Sequence, residues 1–348
     1  MSARAALSGV RVIDLTRLLP GAYATLLLAD LGADVVKIED PRGGDGMRTL
    51  GPLSSGRRTF FEPLNRGKRS VTLDLRAPEA AAVLDALLAR ADVVVDSFRP
   101  STARRLGVDA ATLRGRHRRI VCASISGFGH LGGPYAERAA HDINYQALAG
   151  LLKPPALPGP LVGDIGAAMQ AAIGILAALV ERGRTGEGSF VDVAIHDAAI
   201  AWTMFPTTED LVSACYTIYE TADGEWLALG ALEPKFWRGF CERVGRPDLA
   251  PLQHAAGTER IRVLDEVRAI MRSRSRHEWL ALFADADVCL TPILTPDEAA
   301  VDPHVAARSG ASREERRAPA LGADTDAVLE EAGVAAGARS TLRAAGVI

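Results

Sequence analysis

The sequence predicts an α/β protein with a Rossmann-like, doubly wound large domain and a small α+β domain. Two observations carry this reading. Through roughly the first 200 residues, short β-branched runs alternate with Ala/Leu-rich stretches of helical length. From about Tyr216 the pattern becomes a hairpin followed by a series of helical runs. A chain of 348 residues suits one large domain plus a smaller one, and a hydrophobic fraction of 48% is ample for buried cores.

The elements follow in order. Val10–Leu15 reads as a buried strand, and Pro20 stands near the start of the helical stretch Gly21–Leu31. Val35–Glu39 and Val71–Leu75 are the next strands, followed by a helix from about Pro78 to Arg90. Ala91–Asp96 and Ile120–Ile125 continue the series. Strands separated by helices of this length need crossover connections, hence a parallel sheet. Leu151–Val162 holds four prolines and forms no regular element. A long apolar helix runs from Asp164 to about Glu181, and Phe190–Ala194 is a further strand. Thr217–Glu220 and Trp226–Leu229 flank the turn Ala222-Asp223-Gly224, and Thr291–Glu298 leads out of the small domain. The expected division is 1–200 for the large domain, 201–215 for a linker, 216–300 for the small domain, and 301–348 for a segment returning to the large one.

Composition excludes several classes. The net charge of -3 gives no global basic field, so nucleic acid is not an expected partner. The turn after the first strand reads TRLLPGAYA rather than GxGxxG, and no GxxxxGK[ST] occurs, so NAD and P-loop chemistry lose their main support. The four cysteines are scattered without metal or disulfide spacing, and no metal site is expected. The N-terminus lacks a signal-peptide pattern, and Ile165–Val180 is shorter than the ~20 residues needed to cross a bilayer. A cytoplasmic protein without a membrane partner is the expectation.

Two residues invite chemistry. His141 follows a Gly- and Pro-containing loop in HDINYQALAG, at a loop-to-helix junction. Asp164 stands between the proline-rich loop and the apolar helix. Taken singly, a histidine of this kind is more often structural, and an aspartate at a helix N-terminus is often a cap.

The ordered blocks LSGVRVIDLTRLLPGAYATLLLADLGADVVKIEDPRGGD, NRGKRSVTLDL, ADVVVDSFRPSTARRLG, HDINYQALAG, LVGDIG, ERGRTGEGSFVDVAIHDA and ALEPKFW change those odds. Together they resemble the family III (CaiB/BaiF) CoA-transferases from about Leu7 to Pro303. Within that family, HDINY and ALEPKF after the YETADGEW hairpin look most like the α-methylacyl-CoA racemase branch. The resemblance implies an interlocked homodimer whose active site lies between the large domain of one subunit and the small domain of its partner. It implies an acyl-CoA substrate and no cofactor beyond that thioester. It makes His141 and Asp164 the two proton carriers, with Glu233 of the second subunit bonded to the histidine. It also matches Arg99 to a contact with the CoA phosphates. Leu73 and Leu75 are further candidates for CoA binding, Lys37 and Arg69 for its adenosine end, and Asp142 or Tyr145, beside His141, for the substrate, with Ile143 and Tyr145 equally open to a packing role.

Inverting the carbon next to a thioester removes a proton from one face and returns one to the other, so two acid/base groups are needed. The enolate oxygen also needs fixed donors, which helix-terminal amides supply. The rival reaction is acyl-CoA:carboxylate CoA transfer, in which Asp164 attacks the thioester to give a mixed anhydride. His141 decides for the racemase, and Met204–Cys215 lacks the glycine run with which many transferases close the site. A CoA-binding dimer without turnover is the reading outside enzymes. The connections at 151–163 and 203–215 look short for a racemase of this family and border the acyl pocket, so the acyl group stays open.

Overall fold

A computed structural model describes residues 6–51, 60–204, 212–309 and 316–348, with the backbone alone at 53–54 and 57–58. The chain divides into two compact units, Met1–Met204 with Glu314–Ile348, and Phe205–Arg313.

The first unit carries β1 (Arg11–Asp14), β2 (Asp34–Glu39), the short pair β3 (Leu53–Ser54) and β4 (Arg57–Arg58), β5 (Arg69–Thr72), β6 (Val93–Asp96), β7 (Val121–Ser126) and β8 (Phe190–Ala194). Six of these form one sheet in the order β5-β2-β1-β6-β7-β8, with every pair parallel. Its helices are α1 (Leu18–Asp30), α2 (Phe61–Asn65), α3 (Ala80–Leu88), α4 (Pro100–Leu106), α5 (Ala110–Arg116), α6 (Asp142–Leu148), α7 (Val162–Thr185) and α8 (Ile195–Ala201), and Thr325–Glu331 and Ala336–Ala344 close the chain.

Strand periodicity assigns the two faces. Val12, Val35, Val93 and Val121 stand in register on one face, packed with α1, α7 and α8. Their neighbours Ile13, Val36, Val94 and Cys122 face the other way, against α3, Leu113 of α5 and the C-terminal residues Val328, Leu329 and Ile348. Side chains on a strand alternate, so a β-branched run buried on both faces is what a doubly covered parallel sheet requires. The outer edge of β5 is covered by the returning chain: Asp324 accepts from the Ser70 amide at 2.8 Å and the Thr325 hydroxyl from that of Thr72 at 3.0 Å.

α7 has 24 residues, longer than its apolar core suggests from sequence, and by length and composition alone it could cross a membrane. Ala167, Ala168, Ala171 and Ile175 on one face are nevertheless buried in the unit's core, while Met169, Ile173 and Val180 are exposed.

In the second unit, β9 (Tyr216–Glu220) and β10 (Trp226–Gly230) form the expected hairpin. A third strand, β11 (Leu290–Pro292), joins the outer side of β10 where a way out of the domain was expected. Trp237, Phe240, Trp279 and Phe283 make the centre of its core. Both indole N–H groups are satisfied by carbonyls, Trp237 on Leu249 at 3.1 Å and Trp279 on Met271 at 2.8 Å.

A charged network is sealed beneath the carboxyl ends of β1 and β2. Lys37 contacts Asp45 at 2.9 Å and donates to the Thr16 carbonyl at 2.9 Å. Lys68 reaches Asp14 at 3.2 Å and also bonds the Ala22 carbonyl, Thr25 and Asn65. Burial would raise the Asp14 carboxyl, but Lys37, Lys68 and the hydroxyls of Thr16 and Thr25 outweigh it and hold it at about 2. Burial likewise opposes the charge on Lys37, and Asp14 and Asp45 overcome it. Lys37 therefore belongs to the interior rather than to the adenosine end of a ligand, which corrects the sequence expectation. Removing one partner of such a cluster leaves an uncompensated buried charge. Lys37→Met is expected to lower stability by ~3–5 kcal/mol in chemical denaturation; unchanged stability would show that the cluster does not depend on it.

Candidate active site

α7 runs back along the sheet to enter β8, so its N-terminus lies at the carboxyl ends of the strands, where parallel α/β proteins place their sites. α6 starts at the same end, because Tyr145 packs edge-on against Phe128 in the loop after β7, with ring centroids 5.3 Å apart. His141 is the N-cap residue of α6, extended at φ -124 and ψ 173, and its amide donates to Asn144 Oδ1 at 3.0 Å. Its imidazole side is exposed. Asp164 is the third residue of α7 and half-buried.

Asp142 joins the two. Its carboxylate is 3% exposed, accepts the Asp164 amide at 2.9 Å on Oδ1, and takes the Gln146 amide on Oδ2. Gly163 permits this approach: a Cβ there would stand 3.0 Å from Asp142 Oδ1 and 3.3 Å from Ile195. On the other side, the Trp202 indole donates to the Val162 carbonyl at 3.3 Å and covers the first turn of α7. No described residue donates a hydrogen bond to the Asp164 carboxyl. Burial, and then the negative charge of Asp142, push it up to about 7.

The other expected positions separate clearly. Tyr145 is 4% exposed, its hydroxyl donates to the Ala140 carbonyl at 3.1 Å, and burial pushes it up to about 12. It fixes the residue before His141, and its side chain, like that of Asp142, is engaged within the protein and turned away from a substrate. Arg69 lies at the opposite, N-terminal end of β5, paired with Asp34 and Glu331, far from where the adenosine contact was expected. Leu73 and Leu75 line a cavity of about 280 Å³ at the carboxyl ends of β1, β2, β5 and β6. This is the topological switch point, where the chain crosses from one side of β1 to the other. Arg99 caps α4 beside Phe98, which lines the cavity; the Arg99 side chain is exposed and has no ion pair with a described residue. Arg17 and Arg105 also line it, and sequence reasoning missed both. Their signal was available: they follow β1 and β6, the two strands that flank a switch point. Glu233 stands in the second unit, exposed at the N-cap of helix Pro234–Arg243 with its side chain making no capping bond. Residues 205–211, in the connection expected to lack a glycine run, lie outside the described residues.

Asp164 holds its proton more tightly in the folded chain than in the unfolded one. Its ionisation therefore opposes folding, and stability falls as pH rises from near 4 through about 7. Asp164→Asn is expected to melt above the unaltered protein at pH 8, with the gap closing toward pH 4. Equal melting temperatures at both pH values would contradict the raised carboxyl.

Comparison with known proteins identifies the family. Residues 7–328 match the family model CoA-transferase family III. The chain is 33% identical to succinyl-CoA:mesaconate CoA-transferase of Haloarcula marismortui, over 86% of this chain and 83% of that protein. It is 31% identical to human alpha-methylacyl-CoA racemase, over 94% of each. Among solved structures, a CAIB/BAIF family protein from Brucella suis superposes with a TM-score of 0.80 at 28% identity, covering 94% of this chain and 99% of that one. The chain belongs to the family III CoA-transferases.

Proposed function

We propose that this chain is an acyl-CoA racemase or epimerase that inverts the α-carbon of a 2-methylacyl-CoA thioester by proton transfer between His141 and Asp164. The observation that carries it is the junction at Asp142, which brings a solvent-facing histidine and a half-buried carboxyl to the first turns of adjacent helices. One group removes the α-proton, the C–H electrons pass into the enolate, and the other group returns a proton to the opposite face. A carboxyl that titrates at about 7 is populated in both forms at neutral pH, as a group that alternates between acid and base must be. The positive ends of the α6 and α7 dipoles favour the enolate charge.

The nucleotide end of CoA is assigned to the switch-point cavity, with the base against Leu73, Leu75 and Phe98 and the phosphates toward Arg17 and Arg105. Arg99, exposed beside it, is a further phosphate contact. The proposal includes a homodimer in which the partner's Glu233 orients His141; its exposed, uncapped position leaves that carboxylate available.

The second reading is acyl-CoA:carboxylate CoA transfer, favoured by the similarity to mesaconate and citramalate CoA-transferases at 33% identity. There the Asp164 carboxylate attacks the thioester carbonyl, CoA thiolate leaves, and a mixed anhydride forms. A carboxyl that titrates at about 7 is about half ionised at neutral pH, so its titration serves this role as well as the first.

The reactions separate in deuterated water with one enantiomer of a 2-methylacyl-CoA. Racemisation with deuterium entering C2 supports the first reading; acyl exchange onto a free acid without C2 label supports the second, and neither leaves a CoA-binding dimer. His141→Ala is expected to abolish C2 exchange, and normal exchange in that variant would remove the two-base assignment. Arg105→Ala is expected to raise KM for the thioester about tenfold with kcat retained, the loss of one charge-assisted phosphate contact; an unchanged KM would move the phosphates elsewhere.

A further inference from the structure

We propose that Asp142 is a positioning residue for the acid/base pair, fixing the first turn of α7, and with it Asp164, relative to His141. It stands one residue after His141, so a bond from its side chain to the Asp164 amide makes the spacing of the two proton carriers a property of one junction. That junction is built from three sides. Asp142 Oδ1 takes the Asp164 amide, Oδ2 takes the Gln146 amide group, and Gln146 also donates to the Pro160 carbonyl at 3.1 Å, which secures the proline-rich loop leading into α7. Asp142 and Gln146 are each 3% exposed, so the clamp works from the interior and does not touch substrate.

The charge acts in the same place. The titratable groups on the elements packed against α7 are Asp142 and Tyr145 of α6 with His141 at its N-cap, His196 and Asp197 of α8, Tyr23 and Asp30 of α1, Asp192 of β8, and Cys122 of β7, which belongs to the core on the opposite face of the sheet. Asp30 is paired with Arg66 and Arg316, and Asp192 is bonded to the amides of His130 and Leu131. Asp197 is exposed, beside His196. Asp142 is the charged neighbour that raises Asp164, adding to burial. A free carboxylate at a helix N-terminus would otherwise be lowered by the dipole.

The inference rests on the racemase reading where exchange is measured, and is independent of it where titration is. The Asp164 carboxyl is followed by carbon-13 NMR of the full chain labelled at aspartate, using the difference from Asp164→Asn. In Asp142→Asn, which keeps the shape and an acceptor for the Asp164 amide, Asp164 is expected to titrate lower by about a unit or more. The limb of the C2-exchange pH profile that reports Asp164 moves with it. In Asp142→Glu the charge is kept but the link is lengthened. There Asp164 still titrates high while exchange falls at least about tenfold, since a misplacement of about 1 Å at a reacting group costs on that order or more. An unshifted titration in Asp142→Asn overturns the charge role, and full exchange in Asp142→Glu overturns the positional one. If unaltered protein shows no C2 exchange, the racemase reading fails while the titration still judges the clamp.

Discussion

Asp14, fully buried at the carboxyl end of β1, is the centre on which the first unit is organised. Its two carboxylate oxygens gather Thr16, Thr25 and Lys68, and Lys37 adds its charge from β2. Thr25 comes from α1 and Lys68 from the segment before β5, so one anion ties together the first helix and three neighbouring parts of the sheet. Taking these charges out of water is costly and is recovered only with complete pairing and hydrogen bonding. The cluster also has a directional consequence. With Asp14 and Lys37 engaged inward, the residues that follow the strands, Leu15–Arg17 and Leu73–Leu75, join Glu39 and Asp40 in the wall of the switch-point cavity.

A second, smaller junction lies at the proposed site. At α6 and α7 a buried aspartate is used as a structural acceptor, and its proximity raises another aspartate that stays half-open to solvent. Like charges close together in a partly desolvated place cannot both be cheaply ionised. Asp164 has no hydrogen-bond donor among the described residues, so nothing there stabilises its anion and draws its titration back toward the usual carboxylate range. Ionisation at this position costs stability, a cost that sites built for turnover often carry.

The fold was largely legible. Runs such as VRVID, DVVKIE and VVVD carry β-branched residues without polar alternation, which is the mark of strands covered on both faces. β11 was not legible, because Leu-Thr-Pro has no periodicity of its own and becomes a strand through its pairing with Leu227–Leu229. The site was legible in part. His141 and Asp164 were marked by their positions at loop-to-helix junctions, yet nothing local said that Asp142 would turn inward to bond the Asp164 amide. Lys37 and Arg69 looked like ligand contacts because a lone cation in sequence has no visible partner; Asp45 and Glu331 supply those partners from 8 and 262 residues away.

What the sequence determined by itself is the alternation of strand and helix, the two faces of each strand, and the ordered motifs of the family. Those are set by neighbours within a few residues, where periodicity and turn chemistry act. What the tertiary structure decided is which polar groups face each other. It made Asp14, Lys37 and Lys68 an interior cluster, made Tyr145 a packing residue, and placed one carboxylate beside another so that Asp164 differs from an ordinary helix cap. Burial and Coulomb interaction depend on distance through space, and distance along the chain does not report it.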